Sequence, residues 1–201
     1  MKKLLLIGIM VFAIGCTSPP KNRWDLIKEK RNTELKKGIR KDTIFLGFIL
    51  GMSQKQVNDR FQQLLSENKI IINSNNAYEY NIPIDYPKNT KSTFSDKYLN
   101  DSLFSFTLNI EGDSKSAAEL IQVSMAGLYQ KKYSNPLMVP SILNEKDEDY
   151  IFITGNQQIE IDCPLSTTAF VEYFDYQMKE RKSAMDDAVQ KKKEEKVIKD
   201  L

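Results

Sequence analysis

The chain has no histidine, two cysteines and eight glycines among its 201 residues, and each shortage closes a branch of chemistry. Without histidine there is no Ser-His-Asp or Cys-His nucleophilic system and no His-containing metal site. Two cysteines, Cys16 and Cys163, are too few for a thiolate zinc site or an iron–sulfur cluster. The glycines form no phosphate-cradling loop. No apolar run reaches the roughly 20 residues that a helix needs to cross a bilayer; Leu4–Ile14 falls well short of it. Charge of one sign is also missing: 29 basic residues face 27 acidic ones, so no nucleic-acid partner is indicated. A Ser-Lys dyad or a pair of carboxylates survives this count.

What is present at the N-terminus is an export signal. Basic Lys2 and Lys3, the apolar run Leu4–Ile14 and the small Gly15 ahead of Cys16 make the secretory pattern. The following Thr17-Ser18-Pro19-Pro20-Lys21-Asn22 does not continue a core element. Ala13-Ile14-Gly15-Cys16 resembles the lipobox of bacterial lipoproteins. That resemblance implies cleavage between Gly15 and Cys16, acylation of Cys16 and a membrane partner reached through that lipid. It also implies residence in the cell envelope, and Thr17, which is not acidic, favours the outer membrane. More than one acyl chain gives stable anchoring. Residues 1–15 are then a signal peptide, and loss of Lys2 and Lys3 leaves 27 basic against 27 acidic residues. With Cys16 consumed, Cys163 stands alone and makes no intramolecular disulfide.

Residues 16–41 read as a lipidated tether and short helix, in which Trp24, Ile27 and Leu35 stand at loosely helical spacing, lifting the domain off the lipid. Residues 42–176 read as one α+β domain. Its first helix opens at Ser53, with Gln56 completing a capping box and Met52 and Val57 a hydrophobic staple; Gly51 eases the turn into it. Val57, Phe61, Leu64 and Leu65 mark its apolar face. Strands are expected over Tyr78–Ile84 and Phe104–Glu111, with Phe104, Phe106, Leu108 and Ile110 facing one way and polar residues the other. Such alternation predicts an antiparallel sheet with one covered and one wet face. Pro83, on the polar phase, suggests an edge strand, and residues 86–101 read as a long loop.

A second helix is expected over Ala117–Lys132, capped by Ser116 with Glu119 and stopped before Pro136. Gly127 within it suggests close packing of a neighbour. Three strands follow, at Tyr150–Thr154, Gln158–Cys163 and Ala169–Tyr176, with Gly155-Asn156 as a tight hairpin. Residues 177–201 read as a charged, solvated helix. The fold is thus α+β, two helix-then-strands halves placing two helices on one face of an antiparallel sheet, plus the charged C-terminal helix.

Several groups are candidates for chemistry. Glu145, Asp147, Glu148 and Asp149 offer oxygen ligands to calcium, or form a solvated turn, the reading preferred because the spacing lacks the alternation and glycine of a calcium loop. Glu160 and Asp162 lie two apart on an outward strand face, as paired carboxylates or as plain surface. Tyr86, Phe94 and Tyr98 are exposed-aromatic candidates for partner binding, or fold back on the core. Cys163 reads as a small buried hydrophobe.

The helix-strands, helix-strands order, with Gly51-Met52-Ser53-Gln54-Lys55-Gln56-Val57, resembles the repeat of β-lactamase-inhibitor-protein-like folds and of small outer-membrane-assembly lipoproteins. The resemblance implies helices on one face of an antiparallel sheet, and protein–protein binding rather than catalysis; it carries over no functional residue. The abundance of Lys, Asn, Ile and Tyr also looks like lipoproteins of gut-type Bacteroidota. The expected function is a non-enzymatic, lipid-anchored binding or assembly module with an envelope protein partner and without cofactor or metal. The alternatives are an envelope hydrolase using carboxylate or Ser-Lys chemistry, and a structural spacer.

Overall fold

The computed structural model describes residues 22–84, 87, 90–133, 136–141, 148–164 and 167–199. The signal peptide with Gly15, Cys16, Tyr86, Glu145 and Asp147 all lie outside the described residues. The elements are α1 (Arg23–Lys36), α2 (Gln54–Ser66), β1 (Ile71–Ile72), β2 (Tyr78–Asn81), β3 (Lys91–Leu99), β4 (Ser102–Glu111), α3 (Lys115–Lys132), β5 (Leu137–Pro140), β6 (Glu148–Thr154), β7 (Gln157–Asp162), β8 (Thr168–Asp175) and α4 (Tyr176–Lys199).

The strands form one antiparallel sheet in the order β1-β2-β3-β4-β8-β7-β6-β5. Each half is a helix followed by a four-strand meander, α2 with β1–β4 and α3 with β5–β8. The halves join where β4 pairs with β8. The expected α+β fold, with two helix-then-strands halves and a C-terminal helix, is the observed one.

Helix α2 starts where its capping chemistry says. The Gln56 N–H donates to Ser53 Oγ (3.2 Å), and the Ser53 N–H donates to Gln56 Oε1 (2.8 Å). Its apolar face, Val57, Phe61 and Leu64, is buried, and Phe61 stacks on Tyr78 at 4.3 Å between ring centroids. Helix α3 starts earlier than expected. Ser114, not Ser116, is the cap, accepting from the Ala117 N–H at 3.2 Å. Ile121, Met125, Ala126 and Tyr129 then join the same core as α2's face and Phe106, Leu108, Ile110, Ile159, Ile161, Val171 and Tyr173 of the sheet. Gly127 meets nothing within 4 Å where a Cβ would stand, so the expectation of a closely packed neighbour is wrong.

Three further expectations are corrected. Most of the supposed loop 86–101 is β3, a nine-residue strand. Its polar composition hid it, but Phe94 and Tyr98 pack against the core, and its backbone pairs with β4 from Ser92 to Leu99 and with β2 over Lys91–Thr93. The strand expected over Tyr78–Ile84 stops at Asn81; Pro83 lies beyond it, and the strands at the two edges of the sheet are β1 and β5. In β4 the register shifts: Lys97 pairs with Ser105 but Tyr98 with Leu103. Phe104 is the extra residue of a β-bulge, which flips the side-chain phase. Leu103, rather than Phe104, therefore joins Phe106, Leu108 and Ile110 in the core.

The largest correction concerns the face expected to be wet. Over β5–β8 it is covered by α1 and the first turn of α4. Ile27 of α1 and Tyr176 of α4 form a second core with Val139, Ile151, Ile153 and Phe174. Residues 23–36 are thus part of the globular domain rather than a spacer. Gly155 holds the seam at φ +59°, where its Cα hydrogen lies against the Ile39 carbonyl; a Cβ would stand 2.1 Å from that oxygen. The Tyr176 hydroxyl donates to Gly155 O (2.7 Å), and Asp175 Oδ1 accepts from the Gln177 and Met178 N–H groups (3.0 Å each), capping α4. The charged helix is therefore docked at its start and exposed beyond it. Cys163 is buried, as expected.

Candidate functional site

The second face carries an acidic layer that the sequence only half disclosed. Alternation along β7 puts Gln158, Glu160 and Asp162 on it. Register places Glu160 beside Glu172 of β8, and Asp149 of β6 lies one residue past the Tyr150–Ile161 pair. Each carboxylate has a different environment. Arg23 of α1 donates to Asp149 Oδ2 (2.5 Å) and to Pro140 O (2.6 Å). The anticipated calcium loop or solvated turn is thereby corrected at Asp149, which is a buried strand residue in an ion pair. Arg31 donates to Gln158 Oε1 (2.7 Å), and Gln158 Nε2 to Glu160 Oε1 (2.5 Å).

Burial works to raise the Glu172 carboxyl, but Lys179, with hydrogen bonds from Lys179 (2.9 Å) and Ser105 (2.7 Å), brings it below the usual range. Glu160 goes the other way: burial and the Glu172 charge raise it against the pull of Lys179. Asp162 moves furthest, pushed up to about 7 by burial and then by Asp149, Glu160 and Glu172, with Arg23 opposing. Glu160 and Asp162 are half-buried beneath α1 and α4 rather than plain wet surface. Among the described residues no three His, Cys, Asp or Glu are arranged to hold a metal ion.

Two of the cavities among the described residues bear on binding. The larger, about 550 Å³, runs from the β1–β2 turn to the start of α3. Asn73, Asn75, Glu79, Lys91, Thr93 and Asn109 give it a polar lining. Lys91 holds Glu79 Oε1 at 2.8 Å, and Ser92 is buried on the opposite side of the strand with its hydroxyl unpartnered. Successive strand residues point to opposite faces, so Lys91 and Ser92 do not form a Ser-Lys dyad.

The smaller cavity, about 240 Å³, is apolar and opens between the two halves. Phe45, Pro83, Met125, Tyr129, Tyr133 and Tyr173 line it. The Tyr129 and Tyr173 hydroxyls bond to each other at its floor. Burial raises both phenols above their usual range, so they remain neutral donors and acceptors. Periodicity predicted the helix face bearing Met125, but not this pocket, because Tyr129 and Tyr173 meet only through the α3–β8 packing. Of the aromatic candidates, Phe94 and Tyr98 serve the core. Tyr98 donates to Asp96, and its phenol is raised by burial and by that carboxylate.

The architecture defines a class: an α+β domain of two helix–meander halves on one continuous antiparallel sheet, with a second face partly covered. No described helix is long and apolar enough to cross a membrane. No protein-family model, curated protein or solved structure matches this chain.

Proposed function

We propose that the chain is a lipid-anchored protein of the cell envelope, tied to the membrane through acylated Cys16, that binds a partner rather than transforming a substrate. The observation that carries the binding reading is where the acidic groups sit. Glu160, Asp162 and Glu172 line neither cavity described above, and are bound into a sheet layer under α1 and α4. The polar cavity instead presents amides, hydroxyls and the ion-paired Glu79 carboxylate, a lining suited to recognition. Outer-membrane residence and an envelope protein partner belong to this reading.

Two measurements test it. Growth with labelled palmitate labels the chain, and Cys16→Ala abolishes the label. A photo-crosslinker at Asn75, on the exposed rim of the polar cavity, captures an envelope protein that a crosslinker at Met185 on α4 does not. Capture at neither position, together with substrate turnover by the purified protein, overturns the binding reading.

One observation favours hydrolytic carboxylate chemistry as a second reading: Asp162, pushed up to about 7, shares a sheet face with Glu172, held below the usual range, the division of labour of an acid and its partner. Turnover abolished by both Asp162→Asn and Glu172→Gln in folded protein would establish it.

A further inference from the structure

Trp24 is the one tryptophan of the chain and, among the described residues, the most exposed large apolar side chain, at 60%. It sits in the first turn of α1, beside Arg23, whose guanidinium lies 5.8 Å from its ring centroid. Helix α1 is no free arm: Ile27 is 1% exposed, and Arg23 and Arg31 are tied to β5, β6, β7 and α4. The packing that fixes Ile27 inward holds Trp24 outward, and Lys28, one turn further on, is exposed beside it.

Between Cys16 and the first described residue, Asn22, lie only five residues. At full extension a chain spans about 3.6 Å per residue, so Trp24 stays within roughly 30 Å of an acylated Cys16. A link of so few residues holds its ends at an effective concentration on the order of millimolar, so even a weak affinity for the surface becomes occupied. An indole offers an apolar body with one N–H donor, the combination enriched at membrane–water boundaries, and Lys28 supplies a cation for a phosphate headgroup.

From this placement we propose that Trp24 and Lys28 form a docking surface for the lipid bilayer itself, which fixes the orientation of the domain on the membrane. The inference rests on the lipid-anchor reading and adds to it: the acyl chains tether, while Trp24 sets the pose. The second face, clasped by α1, then turns toward the membrane end of the molecule.

The tryptophan is its own probe. The acylated protein is reconstituted in vesicles of phosphatidylethanolamine and phosphatidylglycerol. The expected result is a blue-shifted emission, quenched by lipids brominated near the glycerol and protected from aqueous iodide. In a Trp24→Phe/Met185→Trp variant, the reporter on the exposed face of α4 stays unshifted and open to iodide. Trp24 that stays red and iodide-accessible on protein that floats with the vesicles overturns the docking surface and leaves the anchor standing. Protein that does not float overturns the anchor and the docking together. A blue shift that grows with protein concentration without vesicles assigns Trp24 to a contact between copies and overturns the membrane assignment.

Discussion

Both halves of the sheet bury one face under a helix, α2 over β2–β4 and α3 over β4, β7 and β8, yet they treat the other face in opposite ways. On the first half Lys91, Ser95 and Lys97 of β3 stay exposed. On the second, the same face disappears beneath α1 and α4, with Ile151 and Ile153 in a second core and four carboxylates caught between sheet and helices. The difference teaches that one repeated architecture can be an ordinary amphipathic sheet at one end and a three-layer sandwich at the other. The added layer comes from segments outside the repeat. It also concentrates the ionic energetics of the protein at one end.

The sharpest way to break that comparison is to remove a cation from the covered end. The side chains of Arg23 and Asp149 are 9% and 4% exposed. Arg23→Ala leaves the Asp149 carboxylate buried without its partner, a situation that costs about 3–5 kcal/mol; the loss is moderated because Arg23 Nε itself is buried unpaired. The contrasting test, Lys97→Ala, removes a cation that is itself exposed, 3.5 Å from Glu172 at the border of the covered layer. Glu172 keeps Lys179 and Ser105 as partners, and stability is expected to change by under about 1 kcal/mol. Urea unfolding of the two variants measures the contrast, and equal effects would deny that the second layer matters. Ile27→Ala probes the same layer through packing alone and is expected to cost about 2–4 kcal/mol.

Asp162 gives the comparison a pH dependence. Its pKa is near 7 in the folded protein against an ordinary value near 4 when unfolded. Between those values the folded protein retains a proton that the unfolded chain has released. Stability therefore falls as pH rises from about 4 to 7, and the full deficit persists above that window. Asp162→Asn removes this term. The variant is expected to be more stable than the parent by about 4 kcal/mol near pH 8, with the advantage vanishing near pH 4. Denaturation series at several pH values measure it, and parallel curves for the two proteins would show that Asp162 is not held protonated.

The first core was legible because its signals are local. The Ser53/Gln56 capping box, the helical spacing of Val57, Phe61 and Leu64, and the alternation of Ile159 and Ile161 each follow from neighbours in sequence. What could not be read depends on partners far away. β3 reads as Lys-Ser-Thr-Phe-Ser-Asp-Lys-Tyr-Leu, polar enough for a loop, and is a strand because it pairs with β4 along most of its length and with β2 at its start. The outward phase of β7 looked wet because nothing in Gln158, Glu160 or Asp162 announces that α1, over a hundred residues earlier, lies on top. Half of the acidic candidate site was thus visible as Glu160 and Asp162. Asp149 and Glu172 joined it only through register.

The smallest expected effect lies on the shared face, at the end that α1 does not reach. Ser92 is 1% exposed, its hydroxyl has no partner, and it sits between Tyr80 and Ile110 in the sheet. A buried hydroxyl without a hydrogen bond forfeits its hydration, whereas a methyl group in the same place loses nothing polar. Ser92→Ala is therefore expected to raise stability by about 1 kcal/mol, with no change in the pH dependence that Asp162 governs. The opposite sign, a loss of similar size, would mean that the hydroxyl gains a bond in solution, and would make the polar cavity along this strand the place to look for its partner.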